Sequence, residues 1–482
     1  MSRVKGVQEV RNSLLRRYHS LPPVLRSAAA TVRGGYLRFW RYGRQTDRLC
    51  DAALARERWT PKEWQNWRVE RLAKLLHRAA TKVPYYREQW SERRRRGDKG
   101  SWEVLGNWPL LNKETLRENP LAFIAEDRSV SRMFHDHTSG TTGKSIDLWL
   151  TRETVQSWYA LFEARCRLWN GVSRHDRWAI IGGQLIAPVR QDEPPFWVWN
   201  ASLRQLYLSA YHLAPRHTAS YVEALRQYRI RYLIGYPSAL AALAREVLAQ
   251  KLDAPHLDVV LTNGEPTVEE QRREIETAFK CTVRETYGMG EIVAGASECE
   301  EGRMHLWPEA GVLEVIAEDG KAATDGRGEF VCTGLLNADM PLIRYRVGDR
   351  GHVPPSGMPC GCGRTLPVLG AIDGRVDDVL YTSDGRVVVL GPGLGSVFKS
   401  RLPIQETQII QEALDVIRVR YVPAYGFSEA DGQSVVDRIR DRLGPVKVML
   451  EEVDSIARSA NGKSRAVICN LSLEERERVR RG

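Results

Sequence analysis

The 482-residue sequence has no apolar run long enough to span a bilayer. It also lacks the apolar segment of a signal peptide. Residues 20–44 are broken up by Pro22, Pro23, Arg26, Arg33 and three glycines. Together these absences lead to the expectation of a cytoplasmic protein in a reducing compartment, where its eight cysteines serve as packing residues or metal ligands rather than as a disulfide framework. No Gly-x-Ser-x-Gly elbow is present, so His135 and His137 flanking Asp136 give a Ser-His-Asp hydrolase little support. Zinc-finger spacing, RNA-binding signatures, internal repeats and long low-complexity linkers are missing too.

What the sequence does have is positive charge: 71 Lys plus Arg against 60 Asp plus Glu, a net +11. That balance favours anionic partners such as nucleotides or an acidic membrane surface. Without a base-reading module it gives no specific nucleic-acid partner. The run Arg93-Arg94-Arg95-Arg96 reads as a solvated helix end. Residues 14–42 mix Leu, Tyr, Trp and Arg, a pattern that fits peripheral membrane contact at most and that core packing explains equally well. Hydrophobic residues make up 43% and charged residues 27%, as in a folded globular chain long enough for two or three domains.

Residues 1–100 read as mainly helical. Val69, Leu72, Leu75, Leu76, Ala79 and Val83 keep helical spacing until Pro84. From about Val130 short apolar runs alternate with amphipathic helices, the pattern of an α/β fold. A strand at 232–235, a turn at Tyr236-Pro237 and a helix at 238–251 form one unit. A strand at 257–261, a helix opened by Thr267 with Glu270 as a capping box, and a strand at 281–286 follow. Residues 312–352 alternate with period two, as antiparallel hairpins do. After Gly374 the chain restarts as a small unit. It has a hairpin at Asp384-Gly385, strands at 416–422 and 446–452, and a helix at 428–443.

The sharpest chemical signal is Thr138-Ser139-Gly140-Thr141-Thr142-Gly143-Lys144-Ser145. Glycines let backbone amides close on phosphate oxygens, hydroxyls add donors, and lysine adds charge. A Walker reading fails because its first glycine would fall at Thr138. Further segments follow in order: Gly264-Glu265-Pro266, Tyr287-Gly288-Met289-Gly290-Glu291, Arg344-Tyr345-Arg346-Val347-Gly348-Asp349, Gly374-Arg375-Val376-Asp377-Asp378 and Asn461-Gly462-Lys463-Ser464-Arg465. This ordered set resembles the adenylate-forming superfamily of acyl-CoA synthetases and related ligases from about Val130 to the C-terminus. Tyr236-Pro237-Ser238, the run 340–346, Cys360-Gly361-Cys362-Gly363-Arg364 and Val83-Pro84-Tyr85-Tyr86 are most similar to its phenylacetate-CoA ligase and CapK branch, which also includes amide-forming relatives similar to indoleacetate-lysine synthetase.

The resemblance implies an α/β fold. A large multi-sheet adenylation domain would span residues 1–375 and a small α+β lid residues 376–482. It implies ATP-dependent conversion of a carboxylic acid to its acyl-AMP, then transfer to CoA or to an amine. The residues from Thr138 to Lys144, with Gly264, Glu265, Pro266, Tyr287 and Gly288, would bind the nucleotide. Asp349 would take the ribose hydroxyls with Arg375 close by. Glu291 would hold Mg²⁺, a hard cation that prefers oxygen. Lys463 would stabilise the charge that develops between carboxylate and α-phosphate, and Asp377 would be the hinge. Family members often carry Thr or Ser at the position held here by Gly290, so this site has one hydroxyl fewer. Cys299, His305, Cys360 and Cys362 offer three thiolates and an imidazole for a structural zinc ion, with His352 a rival to His305. Cys50, Cys166, Cys281, Cys332 and Cys469 read as packing residues. The residues 194–199 could line an acid pocket or form a packed loop. A homodimer and a catalytically silent nucleotide-binding scaffold stay open. Glu291 and Lys463 both argue against the silent scaffold.

Overall fold

The computed structural model describes residues 17–138, 146–188, 191–355, 357–375, 379–383, 387–389, 402–458 and 465–481. Among the described residues, the helices Pro23–Arg41, Arg44–Arg56, Pro61–Lys82 and Pro84–Arg95 precede the sheets. The third has a clear local cause. Thr60 accepts from the Glu63 amide, Glu63 accepts from the Thr60 amide at 2.7 Å, and Pro61 fills the first helical position. Pro84, which cannot donate an amide, separates it from the fourth helix. The inner faces of these two helices bury Leu75, Leu76, Ala79, Tyr86 and Trp90 against Trp108, Phe123, Ile343 and Tyr345. Each buried Leu contributes about 1.5–3 kcal/mol. The Tyr86 hydroxyl ties this layer to the chain at 341–343: it donates to the Pro341 carbonyl and accepts from the Ile343 amide. The arginine run does end a helix. Arg93 and Arg94 bond Asp98, Asn107 and Gly100, while Arg96 pairs with Glu92.

Beyond the helices stands a nine-stranded mixed sheet in the order 368–369, 304–306, 295–298, 282–288, 259–262, 232–235, 178–182, 205–209 and 197–200. The five strands from 282–288 to 205–209 are parallel. Tyr232–Gly235 and Val259–Thr262 are buried at every position, as befits strands covered on both faces. The helices Pro237–Ala249 and Glu269–Phe279 are crossovers of this sheet. The second does not start as its sequence suggests. Thr267 is not its cap, because the Thr267 hydroxyl bonds that of Thr262 and its amide donates to Glu285. The helix begins at Glu269, where the Val268 amide donates to Gln271 instead of Glu270 pairing with Thr267. Trp197–Asn200 is an edge strand, and Phe196 is fully buried against His212 and Tyr221, so that stretch is packed into the fold.

An antiparallel five-stranded sheet follows, in the order 322–323, 311–316, 326–334, 345–353 and 372–375. A smaller unit completes the chain. The strands Ile404–Ala413, Val416–Pro423, Lys447–Glu452 and Val467–Cys469 form a four-stranded sheet. The helix Glu429–Leu443, capped by Ser428, buries Val435, Ile439 and Leu443 on its own core with Ile409, Ile417 and Val467. The strands 379–381 and 387–389 pair as expected, although their Asp384-Gly385 turn lies outside the described residues. A large α/β body with a helical N-terminal layer and a small C-terminal α+β unit is thus the architecture. Among the described residues, no helix is long and apolar enough to cross a membrane.

Candidate functional site

The strands 232–235, 259–262 and 282–288 end on the same edge of the parallel sheet, the edge where open α/β sheets hold ligands. Each runs into one of the segments singled out in the sequence. After Val259–Thr262 comes Gly264, whose φ of +73° favours glycine. The next residue, Glu265, accepts from the Ser238 amide at the start of the Pro237–Ala249 helix. Burial, and then the charge of Glu265, pushes the Tyr236 hydroxyl up to about 12. Thr286 donates to the Thr262 carbonyl at 2.9 Å, locking the second and third strand ends together.

Tyr287 and Glu291 are held by two long-range hydrogen bonds. The Tyr287 hydroxyl donates to Asp349 Oδ2 at 2.8 Å. The Tyr345 hydroxyl, fully buried, donates to Glu291 Oε1 at 2.8 Å. Both partners come from the strand Tyr345–Val353, in which Asp349 is also in register with Arg375. That strand therefore orients an aromatic ring and a carboxylate at the end of the neighbouring sheet. Gly290 accounts for a third contact. A Cβ on it would lie 3.3 Å from Thr138 Cγ2, tighter than most real packing, so the missing side chain leaves room for the base of the Ser/Thr/Gly loop. Thr138 closes that base, its amide donating to the Ile146 carbonyl and its hydroxyl accepting from the Ile146 amide.

Thr138, Gly264, Glu265, Tyr287, Gly288, Glu291 and Asp349 thus belong to one connected region. Ser139, Gly140, Thr141, Thr142, Gly143, Lys144, Ser145, Asp377 and Lys463 lie outside the described residues. Sequence reasoning passed over Tyr345, although it stands inside a quoted segment, because only the fold reveals its partner. It also passed over Arg458, five residues before Lys463. Arg458 donates to Ser238 Oγ at 3.0 Å and to Glu406 at 3.4 Å, connecting the C-terminal unit to the Glu265 turn. Glu285 was missed as well. Burial pushes its carboxyl up to about 7; the Thr267 amide opposes this, Glu298 adds to it and Arg272 opposes it.

A second cluster gathers Cys299, His305, Cys360 and Cys362, whose ligand atoms all lie within 4.8 Å of one another. The pairing of Met304 and His305 with Leu369 and Val368 brings the Cys360 loop over the 295–306 hairpin. A tetrahedral zinc with bonds of about 2.3 Å to sulfur and 2.0–2.1 Å to nitrogen needs S–S separations of about 3.8 Å and S–N of about 3.5 Å. The Cys299–Cys360 separation is 3.7 Å and Cys362–His305 Nε2 is 3.5 Å. His305 Nδ1 bonds the Leu366 carbonyl, which fixes the tautomer that presents Nε2 as a ligand. The donor set fits the ion. His352 is not part of the group; its Nδ1 would lie 2.8 Å from a Cβ on Gly370. Of the other cysteines, Cys50, Cys166, Cys332 and Cys469 are buried and Cys281 is half-buried.

A family profile described as the CapK C-terminal domain matches residues 380–470. The chain is 24% identical over 419 residues to Protein CapK of Staphylococcus aureus, covering 85% of this chain and 89% of that one. It is 26% identical over 442 residues to a phenylacetate-coenzyme A ligase of Thermus thermophilus, covering 83% and 95%. Among solved structures, 2-hydroxyisobutyryl-CoA ligase in the postadenylation state with 2-HIB-AMP has a TM-score of 0.64 at 23% identity, covering 88% of this chain and 93% of that one. The same ligase in the thioesterification state scores 0.52 at 23% identity, covering 86% and 91%.

Proposed function

We propose, for a chain that belongs to the adenylate-forming superfamily of the phenylacetate-CoA ligases, that it activates a carboxylic acid with ATP and passes the acyl group to CoA. The observation that carries this reading is the pair of hydrogen bonds from Tyr287 to Asp349 and from Tyr345 to Glu291, beside the Thr138 loop base.

In the first step the acid's carboxylate oxygen attacks the α-phosphorus, a P–O bond forms, and pyrophosphate leaves. Two anions must meet, so charge neutralisation matters more than proton transfer. The loop from Thr138 to Lys144 holds the phosphates. Gly264, Glu265 and Pro266 form the adenine-side turn, with Tyr287 and Gly288 next to the ring. Asp349 accepts from the ribose hydroxyls, with Arg375 beside it in the sheet. Glu291, oriented by Tyr345, would offer carboxylate oxygen to Mg²⁺, a cation that would lower the charge on the phosphates. Lys463 stabilises the carboxylate–phosphate transition state. The contact of Arg458 with Ser238 supports an arrangement in which the C-terminal unit lies against the Glu265 turn. The boundary between residues 1–375 and 376–482, with Asp377 as hinge, would then turn that unit for transfer. Cys299, His305, Cys360 and Cys362 hold a structural zinc.

An amine acceptor is the second reading, kept because the sequence motifs also resemble those of amide-forming relatives. Incubation with ATP, Mg²⁺, a panel of carboxylic acids, and CoA or amines, with products identified by mass spectrometry, decides between them. Thioesters support the first reading and amides the second. Absence of both acyl-AMP and pyrophosphate across the panel would overturn the proposal.

A further inference from the structure

The first helix, Pro23–Arg41, has two faces of different character. Its inner face is fixed to the body. Arg26 is buried and donates to Gln191. Ser27 accepts from the Trp199 amide, and Thr31 accepts from the amide of Ala201 and the hydroxyl of Ser202. Gly34 lies so close to Asn200 that any side chain would collide with it. The rotation of the helix is therefore set by its contacts with the edge strand.

Its outer face is apolar and exposed. At 100° per residue, Leu25, Ala28, Val32, Tyr36 and Phe39 fall within an arc of about 80°. All five are exposed, and Val32 retains 77% of its accessible surface. Arg33 projects about 100° to one side of this stripe and Arg38 about 120° to the other. Both are exposed. Arg152, also exposed, stacks on Phe39 at 4.0 Å and donates to the Phe39 carbonyl, adding a cation at the C-terminal end. From residue 17 to residue 46 there is no Asp or Glu, while six arginines occur.

An apolar stripe flanked on both sides by arginine is the arrangement that seats a helix in a lipid interface. Apolar side chains enter the acyl boundary, while guanidinium groups reach outward to headgroup phosphates. A protein partner would also cover apolar surface, but it does not require cations on both flanks and no anion between them. We propose that the outer face of Pro23–Arg41 docks the protein on an anionic phospholipid surface. The body stays in water and the helix lies parallel to the membrane plane.

The test is co-sedimentation of the full chain with vesicles of phosphatidylcholine alone or phosphatidylcholine containing phosphatidylglycerol. The native protein should bind the anionic vesicles, bind the neutral ones at least tenfold more weakly, and lose binding as salt rises. Leu25→Glu combined with Val32→Glu should abolish binding. Arg33→Glu combined with Arg38→Glu should weaken it more than tenfold. All four positions are exposed and the one side-chain hydrogen bond lost is the long, exposed one from Arg38 to Ser202, so thermal melting of both variants should stay close to that of the native protein. Failure of the native chain to bind anionic vesicles, or binding by the Glu variants equal to native, would overturn the proposal. So would a native dimer in light scattering that becomes a monomer with Leu25→Glu and Val32→Glu, since the stripe would then belong to a second copy.

Discussion

Tyr345→Phe removes one oxygen atom from the centre of the candidate site. That oxygen donates to Glu291 at 2.8 Å, and both residues are buried. A hydrogen bond to a charged group contributes about 1.5–3 kcal/mol, and each 1.4 kcal/mol corresponds to a factor of ten. If the bond serves mainly to aim the carboxylate, its loss should appear in the nucleotide reaction as roughly a tenfold to hundredfold fall in kcat/KM for ATP. The concentration of Mg²⁺ needed for half-maximal rate should rise, because a carboxylate free to rotate binds a cation less well. ATP–pyrophosphate exchange across a Mg²⁺ titration measures both. Tyr86→Phe is the control. Its hydroxyl bonds Pro341 and Ile343 in the same core but touches no acidic group. It should cost about 1 kcal/mol in urea unfolding while leaving the Mg²⁺ titration unchanged. If Tyr345→Phe behaved like Tyr86→Phe, with lower stability and an unchanged Mg²⁺ requirement, the aiming role of Tyr345 would be refuted.

Metal analysis of protein purified without added zinc should give near one equivalent per chain, falling to background in Cys360→Ser with a lowered melting temperature; metal-free native protein would sink the zinc assignment. Glu285 supplies a pH dependence of the less common sign. Its folded-state pKa stands above that of an unfolded glutamate. Its stabilising contribution is therefore full below about pH 4.3 and is lost as the pH rises through about 7, a loss of roughly 3 kcal/mol at most. Glu285→Gln keeps the acceptor for the Thr267 amide and should remove that slope, gaining stability at pH 8. Urea unfolding at pH 5.5 and 8 checks this, and equal slopes in native and variant would contradict it.

Elements set by local chemistry were legible in the sequence. The Pro61–Lys82 helix has its apolar spacing and a proline after it, and the Glu429–Leu443 helix has Ser428 in front of it. The start of Glu269–Phe279 was misread because Thr267, a good cap by type, is drawn away by Thr262 and Glu285, contacts that exist only once the strands are side by side. The site was legible as a series of motifs but not as a geometry. Nothing local to Glu291 points to Tyr345, 54 residues away. Nor does anything in the sequence say that Gly290 makes room for Thr138. The Cys/His group was legible from ligand chemistry together with the resemblance to the phenylacetate-CoA ligase and CapK branch. Choosing His305 over His352 required the strand pairing that sets His305 opposite Val368.

If Lys463 acts only while the C-terminal unit faces the nucleotide, it should serve adenylation and be dispensable for transfer. The direct measurement is Lys463→Ala assayed in the two half-reactions separately. Acyl-AMP formation should fall by about two to four orders of magnitude, the scale of a lost charge stabiliser. Preformed acyl-AMP given to the same variant should be consumed by the acceptor at nearly the native rate. Equal damage to both half-reactions would contradict the account.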